Sequence, residues 1–155
     1  SWGDASTAGA ETAAPAPAAE KTVLPLAGLH LLLAEDNELN SEIATALLEE
    51  QGASITAVEN GRLALEAIQN AAPRTYDAIL MDVMMPEMNG LEATRCIRAF
   101  EGKGPGEGTP IIAMTANVFA DDVKACLDAG MNSHVGKPLD MKVLIGEILK
   151  YTDAR

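Results

Sequence analysis

The chain has 155 residues, 48% of them hydrophobic and 3% aromatic, which is the size of one domain with a real core and too apolar for general disorder. Its 23 acidic and 11 basic residues give a net charge of −12, which disfavours binding to nucleic acid or to an anionic membrane surface. The longest apolar runs, such as Leu29–Ala34, are far shorter than a membrane-spanning helix, and the first residues lack the pattern of a signal peptide. We therefore expect a cytoplasmic protein.

Residues 1–26 differ in composition from the rest of the chain. The stretch from Ala5 to Glu20 is mostly Ala, Thr, Gly, Pro and Glu, contains two prolines and shows no apolar period. Such a segment buries too little surface to offset its chain entropy, so we predict a flexible linker or tail over 1–26 and a folded domain over 27–155. Because the chain starts at Ser1 rather than Met, we expect it to be part of a longer protein.

From residue 27 onward, apolar segments of strand length alternate with segments of helical period. The predicted strands are Leu29–Ala34, Ala53–Val58, Tyr76–Met81, Pro110–Met114 and Ser133–Val135. The predicted helices are Leu39–Leu47, Leu63–Ile68, Gly90–Phe100, Phe119–Ala129 and Asp140–Tyr151. Five β–α repeats predict an α/β fold with a parallel sheet between two layers of helices, and in such sheets ligands bind at the carboxyl ends of the strands.

Two features of the predicted helices concern the core. Leu39, Ile43 and Leu47 recur at helical spacing and are expected to face the sheet. Cys96 and Cys126 have neither a CxxC nor a zinc-site spacing, so we expect buried, reduced thiols.

Chemically active side chains follow four of the predicted strands. They are Glu35 and Asp36 after the first, Asp82 after the third, Thr115 after the fourth and Lys137 after the fifth. Three carboxylates at one sheet edge require a cation among them, which is either the Lys137 ammonium or a divalent metal, and ligands that are all oxygen favour Mg²⁺. This set indicates phosphoryl transfer, with Asp82 as the nucleophile because it follows a central strand.

Four stretches in order carry a resemblance to a known family: LLLAEDNELN (31–40), DAILMDVMMPEMNGLEATRCIR (77–98), PIIAMTAN (110–117) and DAGMNSHVGKPLD (128–140). Over about residues 28–151 the chain resembles the receiver domain of two-component response regulators and hybrid sensor kinases. The AEDNELN opening and the MTANVFADD run are most similar to receivers at the C-terminus of hybrid histidine kinases. The resemblance implies a flavodoxin-like (βα)5 three-layer sandwich with strand order 2-1-3-4-5.

The resemblance also implies roles for the residues at the strand ends. Asp82 would be phosphorylated by a histidine kinase or a histidine phosphotransfer protein, and Lys137 would pair with the phosphoryl group. Mg²⁺ would be held by Asp36, Asp82 and the backbone carbonyl of Met84, with Glu35 assisting. The bond between Lys137 and Pro138 is expected to be cis.

Further positions are implied to control switching and phosphoryl lifetime. On phosphorylation the Thr115 hydroxyl would move toward the phosphoryl group, and the residue three before the lysine would rotate into the vacated space. That residue is His134, where the family more often has Tyr or Phe, so a surface-exposed His134 without a switching role remains the alternative. Met84 and Asn117 would flank the path of an attacking water, and plain loop roles are the alternative.

The first helix is implied to dock the phosphodonor, with Asn40, Glu42 and Ala44 as contact residues on its exposed side. The phosphodonor would be a histidine kinase or a histidine phosphotransfer protein, and the parent kinase domains would lie before the linker.

Other functions fit the sequence less well. A haloacid-dehalogenase-type phosphatase needs a second acid where Met84 stands, and an FMN binder needs a hydroxyl-rich loop where Glu35-Asp36-Asn37 stands. A free-standing single-domain regulator and a docking module that is never phosphorylated remain alternatives. The chain shows no ATP-binding kinase elements, so we expect a phosphoryl acceptor and not a separate turnover enzyme.

Overall fold

The computed structural model describes residues 24–72, 74–85, 87–116 and 120–152. The strands are β1 (His30–Ala34), β2 (Ser54–Val58), β3 (Ala78–Asp82), β4 (Ile111–Thr115) and β5 (Ser133–Gly136). The helices are α1 (Glu38–Glu50), α2 (Gly61–Asn70), α3 (Gly90–Glu101), α4 (Ala120–Ala129) and α5 (Met141–Thr152). All strand pairs are parallel and the order is β2-β1-β3-β4-β5, which confirms the predicted fold class.

The sheet separates two hydrophobic cores because successive side chains of a strand point to opposite faces. In β1, Leu31 and Leu33 belong to the core that the sheet forms with α1 and α5. Leu32 belongs to the core on the other face, which α2, α3 and α4 cover. The central strands β3 and β4 are buried along their whole length, so the residues at their ends have a rigid support.

Asparagine caps start the first three helices at the carboxyl edge of the sheet. The side chains of Asn37, Asn60 and Asn89 each accept a hydrogen bond from the backbone N–H three residues later, at 2.8–2.9 Å. Asparagine is among the preferred residues at this position because its side chain satisfies an otherwise unpaired helical N–H group. The chain therefore turns into each helix directly beside the strand ends.

The orientation of α1 differs from the prediction. Leu39, Ile43 and Leu47 are 64%, 50% and 36% exposed, whereas Ala44 and Leu48 are the buried residues of the helix. The assignment of the three larger residues to the core was wrong, and so was the assignment of Ala44 to the exposed side. The small Ala44 packs toward the sheet, which leaves an apolar stripe of larger side chains facing outward.

The N-terminal boundary of the packed domain also lies earlier than residue 27. Leu26 is fully buried in the core of α1 and α5, and its N–H donates to the carbonyl of Gln51 at 2.9 Å. Most of the predicted linker, residues 1–23, lies outside the described residues. Within the described ranges, no helix has the length and apolar character needed to cross a bilayer.

A buried arginine organises the opposite end of the sheet, where β4 and β5 begin. Arg98 donates through Nε to the carbonyl of Gly130 at 2.9 Å and through Nη1 to the carbonyl of Thr109 at 2.8 Å. It also pairs with the Glu101 carboxylate at 3.0 Å and donates through Nη2 to Asn132 Oδ1 at 2.9 Å. This Arg98 network ties α3 to the loops that precede the last two strands.

The two cysteines differ in burial. Both are free thiols, but Cys126 is buried on α4 whereas Cys96 on α3 is only half-buried, so the expectation of burial was wrong for Cys96. Burial is the main cause that raises the pKa of the Cys126 thiol.

Candidate functional site at the carboxyl edge of the sheet

The structure brings four of the predicted residues together at the carboxyl edge of the sheet. Asp82 is the last residue of β3, and Glu35 and Asp36 follow β1 directly. Lys137 follows β5 on the far side of β4. Because all strands run in the same direction, their ends and the side chains on them meet in one shallow region.

An ammonium group joins two of the carboxylates. Lys137 Nζ lies 3.0 Å from Asp82 Oδ2 and 3.1 Å from Glu35 Oε1. Both carboxylate residues are about 95% buried, at 4% and 5% exposure. Burial lowers the pKa of Lys137, but the hydrogen bonds and charges of Asp82 and Glu35 outweigh it and raise the pKa above its ordinary value. The lysine is therefore held as a cation between two buried acids.

A third carboxylate completes an acidic cluster. Glu35, Asp36 and Asp82 each place an oxygen within 4.8 Å of the others, and Asp36 is exposed while its partners are buried. The remaining oxygens are anchored by the backbone, since the N–H of Asn37 donates to Glu35 Oε2 at 3.1 Å and that of Met84 to Asp82 Oδ1 at 3.3 Å. Oxygen ligands at a site open to water on one side suit a hard divalent ion such as Mg²⁺.

The other predicted residues surround this cluster at different depths. Thr115 is buried at the end of β4, and its carbonyl accepts from the Lys137 N–H at 2.9 Å. His134 is half-buried on the edge strand β5, where it pairs with Ala113, two register positions below Thr115. Met84 is 76% exposed in the loop after β3. The bond from Lys137 to Pro138 is cis, and Asn117 lies outside the described residues.

The site opens onto an apolar groove. A cavity of about 540 Å³ lies between α1 and the loop after β5, and it is lined by Glu35 and Lys137 on the side of the site and by Ile43, Leu47 and Pro138 farther out. The exposed stripe of α1 therefore runs up to the carboxylates. Any molecule that reaches Asp82 from this side has apolar surface to pack against.

Sequence reasoning missed two glycines that hold the loop after β3, residues 83–89. The Gly90 N–H donates to the carbonyl of Val83, and the Gly61 N–H donates to the carbonyl of Met88, both at 3.0 Å. A Cβ at Gly90 would overlap with the carbonyl of Asp82. The signal in the sequence is the pair of Asn-Gly dipeptides at 60–61 and 89–90.

Comparison with known proteins places this geometry in a family. Residues 31–149 match the model of the response regulator receiver domain. The chain is 41% identical over 140 residues to "Probable histidine kinase 1" of Oryza sativa subsp. indica, covering 72% of this chain and 14% of the relative. It is 38% identical over 122 residues to "Sensor protein GacS" of Pseudomonas syringae pv. syringae, covering 79% of this chain and 13% of the relative. The chain thus spans about one seventh of the length of these kinases.

Solved structures give the same result. The receiver domain of the sensor histidine kinase PA1611 from Pseudomonas aeruginosa, which holds a magnesium ion in its active site cleft, is 38% identical with a TM-score of 0.71 over 82% of this chain and 99% of that chain. The Saccharomyces cerevisiae complex of the histidine phosphotransfer protein Ypd1 with the receiver domain of Ssk1 matches at 25% identity and a TM-score of 0.74, over 83% and 91%. On the strength of the match over residues 31–149 and of the identity to these two relatives, this chain belongs to the response regulator receiver domain family.

Proposed function

We propose that the chain is the phosphoacceptor of a two-component phosphorelay and takes a phosphoryl group from a phosphohistidine onto Asp82. The observation that carries this proposal is the half-buried Lys137 ammonium, which contacts both Asp82 and Glu35 beside the exposed Asp36. A purely structural ion pair would not need a third carboxylate that is open to solvent. A phosphoryl acceptor needs both the fixed cation and the open acidic face.

The transfer follows from the chemistry of these groups. An Asp82 oxygen attacks phosphorus, the new O–P bond forms as the N–P bond of the phosphohistidine breaks, and the electron pair stays on the histidine nitrogen. Lys137 Nζ is already 3.0 Å from an Asp82 oxygen and can pair with the incoming phosphoryl oxygens. Mg²⁺ would be held by Asp36, Asp82 and the Met84 carbonyl with help from Glu35, and when bound it neutralises phosphoryl charge.

The relatives support the cofactor and the type of partner. The magnesium ion in the related PA1611 receiver agrees with the donor set present here. The Ssk1 receiver binds a histidine phosphotransfer protein, so we assign a protein of that class or a histidine kinase as the phosphodonor of this chain. The exposed stripe of α1, flanked by Asn40 and Glu42, is the docking surface that this assignment implies.

We assign the chain to the cytoplasmic part of a hybrid histidine kinase, with the residues before Leu26 as the linker to the kinase domains. The identity to two such kinases over one seventh of their length supports this context over a free-standing regulator. Switching would use Thr115 and His134, and phosphoryl lifetime would depend on Met84 and Asn117. The support for this assignment is that Thr115 ends the strand next to Asp82, and that His134 lies two register positions below Thr115 on the following strand.

Intact-mass measurement after incubation with acetyl phosphate and Mg²⁺ tests the proposal. The protein should gain the mass of one phosphoryl group, the Asp82→Asn variant should gain none, and chelation of Mg²⁺ should abolish the gain. Asp128→Asn is the matched control, because Asp128 is an exposed acid on α4 that pairs with Lys124 and should leave labelling unchanged. A protein that is never labelled would instead be a docking module, and labelling of Asp82→Asn would place the acceptor elsewhere.

A further inference from the structure

We propose that Gly61, at the start of α2, is a positioning residue for the phosphoacceptor site. Its lack of a side chain lets the carbonyl of Met88 lie directly against the helix, and this contact fixes the loop that carries Met84. The inference rests on the proposed function, because it assigns Gly61 a role toward the Mg²⁺ that the site would hold.

The contact is tight and involves backbone on both sides. The Gly61 N–H donates to the Met88 carbonyl at 3.0 Å, and a Cβ at Gly61 would overlap with that same oxygen. It would also come within 2.9 Å of the Ala93 Cβ and 3.0 Å of the Asn89 carbonyl. None of these atoms belongs to the end of a flexible side chain, so an added methyl group must push the loop and the start of α3 away from α2.

Val83, Met85 and Met88 of this loop pack against the core that α2, α3 and α4 cover, whereas the side chain of Met84 is exposed. At its beginning, Val83 accepts from the Gly90 N–H and donates to the Met114 carbonyl, while the Met84 N–H donates to Asp82 Oδ1 at a long 3.3 Å. At its far end, the contact with Gly61 links it to α2, the helix that follows β2. A displacement at Met88 is therefore transmitted along a short segment to the carbonyl of Met84, whose own side chain is not held in the core.

The backbone conformation of Gly61 allows the steric effect of an added Cβ to be tested without backbone strain. Its φ is not in the left-handed region, so alanine fits the backbone there, and in a helix alanine is favoured over glycine. Gly146 in α5 is the matched control, because it too is helical and a Cβ there would meet nothing within 4 Å. The same chemical change is thus tested with and without the obstruction.

The experiment compares Gly61→Ala and Gly146→Ala with the wild-type protein by calorimetric titration with Mg²⁺ and by labelling with acetyl phosphate. Gly61→Ala should raise the Kd for Mg²⁺ about tenfold, in the range found when a group that orients a metal ligand is lost. Labelling should slow at low Mg²⁺ and recover at saturating Mg²⁺. Circular dichroism at low Mg²⁺ should show the variant to be folded, which separates lost metal affinity from general destabilisation. Gly146→Ala should change neither quantity.

The outcomes separate this inference from the proposed function. If the wild-type protein neither binds Mg²⁺ nor is labelled, the proposed function fails. If it does both and Gly61→Ala has the same Kd as Gly146→Ala, the role of Gly61 is refuted. A second measurement covers the case in which Gly61→Ala does not fold: in the wild-type protein, Mg²⁺ should shift the amide resonance of Gly61 and leave that of Gly146 in place, and an unmoved Gly61 amide overturns the proposal.

Discussion

Replacement of Lys137 by methionine isolates the charge that holds the acidic cluster together. Methionine keeps an unbranched chain of similar length and removes only the ammonium, which lies 3.0 and 3.1 Å from two buried carboxylates. Without it, Glu35 and Asp82 face each other and Asp36 with no cation among them. We therefore expect Lys137→Met to lower the free energy of unfolding when Mg²⁺ is absent.

The decrease in the free energy of unfolding caused by Lys137→Met can be estimated from the structure. Two unit charges at 3 Å in an effective dielectric of about 20 attract each other by about 5 kcal/mol. The desolvation cost of the ions offsets much of this, and the Lys137 side chain is 25% exposed and partly screened by water. We expect a net loss of about 2–3 kcal/mol, below the ~3–5 kcal/mol that follows the breaking of a fully buried pair.

Mg²⁺ should restore the free energy of unfolding that Lys137→Met loses. The variant site carries one positive charge less, so it should bind the cation more tightly than the wild-type site does. At a free concentration one hundred times its Kd, a ligand that binds only the folded state adds about 2.7 kcal/mol. Urea unfolding followed by circular dichroism, with and without MgCl₂, measures both effects. Lys124→Met, which removes an exposed lysine from its pair with Asp128, is the control and should change little.

The stabilisation by Lys137 should also have a defined pH range. Its pKa is raised above the ordinary value of 10.5, so the folded state holds the proton more tightly than the unfolded chain does. The contribution is therefore fully present at neutral pH and is lost as the pH rises through the raised value. The reasoning is refuted if Lys137→Met is as stable as the wild-type protein without Mg²⁺, or if Mg²⁺ stabilises the two equally.

Other parts of the fold give further expectations. Arg98→Leu should lower the free energy of unfolding by about 3–5 kcal/mol because it leaves buried carbonyl acceptors without a donor and the Glu101 carboxylate without its cation. Arg95→Leu at an exposed site of the same helix should change it by less than about 0.5 kcal/mol. Urea unfolding checks both, and equal losses would contradict the role of the network. Iodoacetamide at pH 8 should modify Cys96 well before Cys126, whose raised pKa leaves less thiolate, and peptide mapping that finds the reverse order would be at odds with the burial described above. Ile43→Asn should slow transfer from a phosphohistidine protein about tenfold, as expected for an apolar contact residue at an interface, and leave labelling by acetyl phosphate unchanged. An equal effect on the two donors would argue against docking at α1.

Much of the architecture could be predicted because the local signals agree with the tertiary structure. Each strand ends where an apolar run meets a polar or charged residue, and the Asn-Gly pair at 60–61 marks a helix start through its capping side chain. The family resemblance then implied the strand order and the roles of the residues at the strand ends. The convergence of Glu35, Asp36, Asp82 and Lys137 needed no detailed packing, since parallel strands bring their ends together.

The orientation of α1 could not be predicted from spacing alone. Leu39, Ile43 and Leu47 form a stripe with helical period, but Ala44 and Leu48 form a second stripe that is about 100° away around the helix axis. Periodicity does not say which stripe faces the sheet. The choice depends on how closely the helix approaches β1 and β3, and the small Ala44 permits the closer approach. The excess of large apolar residues outside the core is the mark of a surface that meets a partner.

Contacts between segments far apart in the chain could not be predicted from the sequence either. Gly61 meets Met88, and Arg98 meets Gly130, across 27 and 32 residues of chain. Neither residue type by itself indicates such a contact, since glycine is common at helix starts and arginine is common on exposed helix faces. Only the packing of α3 against its neighbours makes a glycine necessary at one place and an arginine useful at the other.

The two ends of the sheet carry separate tasks, and this has a consequence for engineering. The acids, the lysine and the apolar groove lie at the carboxyl ends of the strands, whereas the Arg98 network holds the beginnings of β4 and β5. Substitutions far apart with no shared partners act on stability almost independently. Thermostability could thus be improved by substitutions around Thr109 and Asn132, and partner specificity could be changed by substitutions along α1. The two sets of substitutions could be optimised separately and then combined in one redesigned signalling module.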